Sequence, residues 1–538
     1  MNSLPQTRLN KLKSDIQMTK QLAVPKPPKK GLSYQKPEVT DSVVFGDWRV
    51  KSNPMGKLVP DNFHDYQIDM ARHLNTHAEA MLWIFMGGGK SIVTLSSYLN
   101  YKAHNPNHKM IIIAPLLVCN LTWRQEAEKW LHTEDIKFSM VTGTAKQRQT
   151  ALFRDADIYL TNYESLEWLK LQLETYYVNQ GIELPFQHIV FDEISKMKRP
   201  ESNRYKEFEP MLKYFKYRVG LTGSPASNGL INVWSQFYCL DLGKSLGASY
   251  QVFKQRFFHH TGGQRGKFIP YEGELGTPSS LEMIVDNIAP ITLEVRASGN
   301  IELPELLIID RMVTLTPKLM KGYLELELEF MLAFKDVHGE DAEVEVFNAS
   351  AISMKLRGYV GGRMYITPDP DFPEIREVAK VHNLKMNELD VILDEIGDES
   401  VFLSYQFSSE RDEILKKYPD ARCLTGTSPD EGDILMNDFN GGRLKFLLSH
   451  ELSAGYGLNL QENCSVMIQL GISWNLESTE QWIARVHRQG NKNSNVRLFR
   501  ILARDTVDIM MSERLVSKDA TQQQLRDKMQ EHISNRSK

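Results

Sequence analysis

Met86-Gly-Gly-Gly-Lys-Ser91 sets three glycines, a cation and a hydroxyl in consecutive positions, which is the chemistry of a phosphate cradle. Glycines let backbone N–H groups converge on phosphate oxygens that side chains would screen. In such a loop Gly87, Gly88 and Gly89 hold the phosphates, Lys90 neutralises the terminal ones and the Ser91 hydroxyl ligates Mg2+. The strict pattern has a glycine six residues before the lysine, where this chain has Ile84, and a glycine turn capping a helix fits the same residues. A second candidate is His188-Ile-Val-Phe-Asp-Glu193, an apolar run ending in two acids, with Asp192 102 residues beyond Lys90. An acid at the carboxyl end of a buried strand suits a metal ligand, here Asp192; its neighbour Glu193 suits a base that takes a proton from an attacking water. By itself the pair also fits a solvated loop start. A third candidate lies in Gln481-Trp-Ile-Ala-Arg-Val-His-Arg488. Gln481, Arg485 and Arg488 are spaced four and three apart, so a helix would carry them on one face. Two guanidinium groups so placed can stabilise charge on a transferring phosphoryl group, and without the other motifs they read as a hydrated basic face.

A cradle of this kind needs a strand before it and a helix behind it. Ala80–Phe85 is apolar and Ile92–Tyr101 has helical period, so the helix N-terminus would add donors and a favourable dipole. Further short apolar runs at Met110–Ala114, Asp157–Leu160, His188–Phe191 and Arg218–Leu221 predict buried strands, with helical period at Asn120–Leu131 and Gly229–Leu240 between them. That alternation predicts an α/β protein with a doubly wound parallel sheet. The texture returns at Ser400–Leu403, Lys445–Leu448, Ser465–Leu470 and Val496–Ile501, which predicts a second α/β lobe. The expected organisation is a flexible basic arm over 1–60, lobe one over 61–240, a mainly helical insertion or linker region over 241–385, lobe two over 386–515 and a polar tail over 516–538, with a possible short helix. One segment is in conflict with itself. Leu324-Glu-Leu-Glu-Leu-Glu-Phe330 alternates with period two, as a strand does, yet all but the Phe are good helix formers.

Composition bounds what the chain does. At 538 residues, two to four domains of about 150 residues are expected. With 41% hydrophobic and 25% charged residues it is an ordinary globular chain, neither disordered overall nor a rod. The net charge, 64 − 68 = −4, excludes a polycationic coat but allows a local basic groove. Residues 1–40 carry eight Lys or Arg against two acids, interspersed with prolines, too little apolar surface to order themselves. Cys119, Cys239, Cys423 and Cys464 are scattered, with no paired spacing to suggest zinc or a disulfide framework. The longest apolar run, Met110 to Cys119, contains Pro115 and is too short to span a bilayer, and no signal peptide is visible. A cytoplasmic location without membrane partners is expected.

The motifs stand in an order that resembles the superfamily II helicases, most closely the Swi/Snf-type DNA translocases, from about Phe63 to about Leu515. Phe63-His-Asp-Tyr-Gln67 is similar to the family's adenine-recognising motif, and Met86–Ser91 to motif I. Ile111-Ile-Ile-Ala-Pro-Leu116 with Trp123-Arg-Gln-Glu126 and Trp130 resembles motif Ia, and Thr161-Asn-Tyr-Glu-Ser165 the motif often written TSYE. Asp192-Glu-Ile-Ser195 stands where the family has DEAH or its relatives, and Leu221-Thr-Gly-Ser-Pro-Ala226 with Asn228 is similar to motif III. Ser453-Ala-Gly-Tyr-Gly-Leu-Asn-Leu-Gln461 resembles motif V, and Arg485-Val-His-Arg-Gln-Gly490 motif VI.

The resemblance implies two RecA-like lobes, ATP and Mg2+ as cofactors, and DNA as partner, duplex favoured and touched mainly at its phosphates near motifs Ia, III and V. It assigns Gln67, Gly457 and Gln481 to nucleotide binding, and makes Arg485 and Arg488 fingers acting from the second lobe. It also implies a helix over 324–330. The expected activity is a nucleic-acid-dependent ATPase that moves along or remodels duplex DNA. An ATP-switched recruitment factor without translocation and an RNA-directed helicase are the alternatives. Protein partners are not indicated. The chain departs from the family's pattern at Ile84-Phe85, at Ser195 in place of a histidine, at Asn491 in place of a glutamine and at Tyr456 in place of a glycine.

Overall fold

The computed structural model describes residue 53 and residues 56–536, except 117, 228, 263–267, 274–276, 298–299, 339–349, 366–377 and 455–458. Of the basic arm only residues 53 and 56–60 are described, and Asn228, Tyr456 and Gly457 lie outside the described residues. The rest divides into two compact units, each built on its own sheet.

The first sheet draws its strands from apolar segments too short for a helix. They are β1 (Glu79–Ile84), β2 (Met110–Ala114), β3 (Phe138–Met140), β4 (Ile158–Asn162), β5 (His188–Asp192) and β6 (Tyr217–Thr222). Every residue of β2, β4, β5 and β6 is buried, as expected of strands covered on both faces. A buried Ile in β2 contributes about 1.5–3 kcal/mol relative to an exposed one. Helices between the strands supply the covers. A hairpin of β7 (Phe258–His260) and β8 (Phe268–Pro270) follows, then β9 (Thr292–Val295), which flanks β1. The order is β3-β4-β2-β5-β6-β1-β9, and β1 to β6 pair in parallel. Register sets Asp192 level with Leu221, and Leu221 level with Leu82. The ends of β1, β5 and β6 therefore open on the same edge, where ligands of such sheets bind.

The second sheet comprises β10 (Glu305–Val313), β13 (Val401–Tyr405), β14 (Arg422–Cys423), β15 (Phe446–His450), β16 (Val466–Gln469) and β17 (Asn495–Ala503). Between β10 and β13 lies a hairpin of β11 (Arg363–Tyr365) and β12 (Val378–Lys380). The order β10-β17-β16-β13-β15-β14 is parallel throughout. One core joins Leu403, Ile468 and Ile501 to the helix Leu384–Ile396; another gathers Phe402, Met467, Leu498 and Trp482 on the opposite face. The 241–385 region thus supplies an edge strand to each sheet, β9 and β10, as well as helices. Leu324–Phe330 lies within the helix Pro317–His338, so side-chain propensity outweighs the period-two pattern there. The polar tail forms the end of a single helix, Val507–Arg536, longer than the short one expected. No helix among the described residues is long and apolar enough to cross a membrane.

At the amino-terminal edge of the first sheet, away from the glycine turn, His108 and His188 are packed with Tyr98, Tyr101 and Tyr217. Their ring nitrogens, His108 Nε2 and His188 Nδ1, stand 3.5 Å apart. Burial, helped by Lys216, pushes His108 down to about 4, and burial beside His108 pushes His188 well below the ordinary range. A histidine whose folded pKa is depressed is protonated first in the unfolded chain, so its contribution is lost as pH falls from about 6.5 toward about 4. For His108 alone this amounts to about 2 kcal/mol between about pH 7 and about pH 5. Thermal unfolding at those two pH values should show a smaller acid penalty in His108→Phe than in the wild type; equal penalties would contradict the assignment.

Candidate nucleotide site

The glycine turn sits between β1 and the helix Lys90–His104, as strand-turn-helix phosphate loops require. Gly89 caps the helix in the left-handed region, φ 85°, and a Cβ there would collide with Gln67 Nε2. Ile84, which breaks the strict pattern, is fully buried at the end of β1, and a Cβ on Gly88 would stand 2.5 Å from its Cδ1. The unusual residue therefore packs under the turn, and a side chain at position 88 would have to displace it. Gln67 stands in the first turn of the helix Asp65–Thr76, where its Oε1 accepts the His64 N–H at 3.0 Å. One end of that amide closes its own helix and the other faces the loop.

The acidic pair lies at the end of β5, with Asp192 7% and Glu193 8% exposed. Lys90 Nζ reaches across from the helix behind the turn to Glu193 Oε1, 3.3 Å away. Lys90, Asp192 and Glu193 therefore converge although 102 residues separate Lys90 from Asp192 in sequence. Burial pushes the Asp192 carboxyl up to about 6, opposed by the charge of Lys90 and by the Trp123 indole. Trp123 Nε1 donates to Asp192 Oδ2 at 3.1 Å, from a side chain that is itself fully buried. Tyr163 O–H donates to the carbonyls of Asp192 at 2.9 Å and Glu193 at 3.1 Å. Glu193 adopts φ 61°, a left-handed conformation that costs a side-chain-bearing residue about 1–2 kcal/mol.

Mg2+ is compatible with this donor set. Hard oxygens from one carboxylate and one hydroxyl, Asp192 and Ser91, with phosphates completing the shell, suit its preference for few protein ligands. Among the described residues no three His, Cys, Asp or Glu side chains gather into a metal cage.

In the second unit the predicted helix through Arg488 ends early. It spans Leu476–Ile483, and Arg485 and Arg488 lie in the turns beyond it, so the common helix face expected for Gln481, Arg485 and Arg488 does not form. The Arg485 N–H bonds back three residues to Trp482 O at 3.2 Å, and Arg485 Nε donates to Gln481 O at 3.0 Å, satisfying a terminal helix carbonyl. Arg488 Nη1 donates to Asn459 Oδ1, and Leu460 N–H to Arg485 O at 3.0 Å, which ties motifs V and VI together. Asn491, one of the departures, donates to Cys464 O at 2.9 Å and Val486 O at 3.0 Å, so the shorter amide has a backbone role of its own.

Sequence reasoning passed over Glu451. This fully buried carboxylate follows β15 and accepts from Ser404 at 3.1 Å, Gln469 at 2.9 Å and Thr479 at 2.8 Å. Burial raises its pKa, and the three donors oppose the rise. It joins β13, β16 and the helix that leads to the arginines. Its position directly after an apolar strand, like Asp192 after β5, was the available signal. Trp123 and Tyr163 were visible only as parts of matched motifs.

A family model described as the SNF2-related domain matches residues 66–275, and the helicase conserved C-terminal domain matches 384–490. Protein p41 of Acyrthosiphon pisum secondary endosymbiont phage 1 is 30% identical over 479 residues, covering 86% of this chain and 98% of that protein. The transcription regulatory protein SNF2 of Saccharomyces cerevisiae is 26% identical over 86% of this chain, which spans 27% of the yeast protein. An uncharacterized ATP-dependent helicase of Mycoplasma pneumoniae is 25% identical over 82% of this chain, which spans 39% of it. The Sulfolobus solfataricus SWI2/SNF2 ATPase core solved in complex with dsDNA aligns over 86% of this chain and 96% of its own, at 20% identity and a TM-score of 0.38.

Proposed function

The chain belongs to the SNF2-related family of superfamily II, a nucleic-acid-dependent ATPase of two RecA-like lobes, and from that premise we propose that it hydrolyses ATP–Mg2+ to move along duplex DNA. The observation that carries the reading is the convergence of Lys90 on the Asp192–Glu193 pair beside a glycine turn in which a Cβ at Gly88 would crowd Ile84 and Gly89 adopts a left-handed backbone that favours glycine.

Gly87, Gly88 and Gly89 cradle the phosphates with backbone N–H groups, and Lys90 neutralises the terminal ones. Asp192 and Ser91 would hold Mg2+, which when bound supplies charge neutralisation at the phosphates. Glu193 takes the proton of the attacking water through its carboxylate. Gln67 contacts the base, with Gly457 and Gln481 as further nucleotide contacts. Arg485 and Arg488 stabilise the charge that develops on the transferring phosphoryl group. DNA is held mainly at its phosphates, so binding is sequence-independent and weakens as salt rises.

The test is an ATPase titration with single-stranded, duplex and forked DNA and with RNA, beside a triplex-displacement assay. Duplex DNA should stimulate turnover most, and displacement should require ATP. Stimulation without displacement would favour a recruitment switch, and RNA as the best activator would move the protein to a different track.

A further inference from the structure

The segments Trp123-Arg-Gln-Glu126 and Thr161-Asn-Tyr-Glu-Ser165 supply neither a phosphate contact nor a metal ligand to the proposed chemistry. Their aromatic residues are buried, Trp123 at 0% and Tyr163 at 3% exposure, and the polar atom of each is aimed at the acidic pair. Neither contact is local, since 69 residues separate Trp123 from Asp192 and 29 separate Tyr163 from it.

We propose that Trp123 and Tyr163 are positioning residues for the ATPase site: Trp123 fixes which oxygen of Asp192 is presented to the cation, and Tyr163 holds Glu193 in its left-handed backbone conformation. The inference rests on the function proposed above.

A carboxylate at a strand end can turn about its last torsion. The indole N–H can only donate, so it holds Oδ2 as its acceptor and, with the Glu193 backbone N–H that also bonds the carboxyl, fixes the orientation of the group. The ring has little room to turn away, because Trp123 is fully buried. Its segment is anchored in turn: the buried Cys119 Sγ donates to Ala114 O at 3.4 Å and to Thr161 O at 3.2 Å. Tyr163 acts on the main chain instead. Its hydroxyl bridges two successive carbonyls, those of Asp192 and Glu193, at the point where φ turns positive. The two residues thus divide the pair, Trp123 acting on the ligand's side chain and Tyr163 on the backbone that aims the base.

The experiment compares wild type, Trp123→Phe and Tyr163→Phe, each of which keeps an aromatic ring and removes one polar group. Mn2+ binding is followed by electron paramagnetic resonance with a non-hydrolysable ATP analogue, without DNA. Trp123→Phe should weaken Mn2+ binding about 10–100-fold, the usual cost of losing a partner behind a metal ligand, with metal-free nucleotide affinity unchanged. Tyr163→Phe should leave Mn2+ affinity within about 2-fold and lower kcat for ATP at least about 10-fold at unchanged KM, an effect that disappears in a Glu193→Gln background. Wild-type Mn2+ affinity in a folded Trp123→Phe overturns the first assignment, and undiminished kcat in Tyr163→Phe the second. Because the metal titration needs no DNA, a wild type that binds the nucleotide but ignores DNA refutes the motor while the Mn2+ comparison still decides the positioning role of Trp123.

Discussion

Lys90→Ala lowers ATP turnover by about 10³-fold or more while affinity for DNA stays within about 2-fold. The expectation follows from what the ammonium faces. Asp192 and Glu193 are adjacent and mostly buried, and Lys90 Nζ lies 3.3 Å from Glu193 Oε1. The cation therefore has two roles in the folded protein. Toward the nucleotide it would offset phosphate charge, as proposed; toward the protein it sets a positive charge beside two adjacent buried carboxylates. Its field opposes the desolvation that raises Asp192. Without it the carboxylates repel each other unrelieved, so the loss exceeds that of a single phosphate contact. Lys90→Met separates charge from bulk, since it keeps the aliphatic stem and removes the ammonium. Turnover in both variants, measured with and without duplex DNA, and DNA affinity at fixed salt check the prediction. Nucleic-acid-stimulated hydrolysis that persists in Lys90→Ala would refute the role given to Lys90.

How far such a site can be read from sequence depends on whether its parts are local. Met110–Ala114 is an unbroken apolar run, and the strand has those same bounds, because burial on both faces leaves no choice of side chain. The strand ending in Asp192 was legible for the same reason, and the glycine turn because no other residue type gives the backbone that freedom. β3 and β14, with three and two residues, carry too few side chains to show any period. β10 mixes exposed and half-buried positions with no regular period at a sheet edge and lies in a stretch read mainly as helical. The arginine helix failed differently. Nothing between Gln481 and Gln489 is a glycine or proline, so the pattern predicts continuation, but Arg485 takes the Gln481 carbonyl and the chain tightens into turns. The bonds from Trp123 and Tyr163 to the acidic pair join residues remote in sequence, and no periodicity encodes them.

Glu193→Gln should leave nucleotide and metal binding intact and slow hydrolysis about 10²–10⁴-fold, the range for loss of a positioned general base. The substitution preserves shape and one hydrogen-bond acceptor, and the left-handed backbone at φ 61° is no harder for Gln than for Glu. Tyr163 still binds the same two main-chain carbonyls, because it does not touch the altered side chain. What disappears is the capacity to take a proton, together with the ionic part of the contact with Lys90. The freed ammonium adds to the positive field seen by the phosphates, so nucleotide affinity should hold or rise. Lys90→Ala loses a cation that faces the acidic pair, whereas Glu193→Gln keeps both Lys90 and the Asp192 carboxyl in place. The two variants therefore separate in a nucleotide-binding titration while both fail in turnover. Single-turnover hydrolysis with pre-bound ATP isolates the chemical step from binding and release, and undiminished rates there would defeat the assignment of Glu193 as the base.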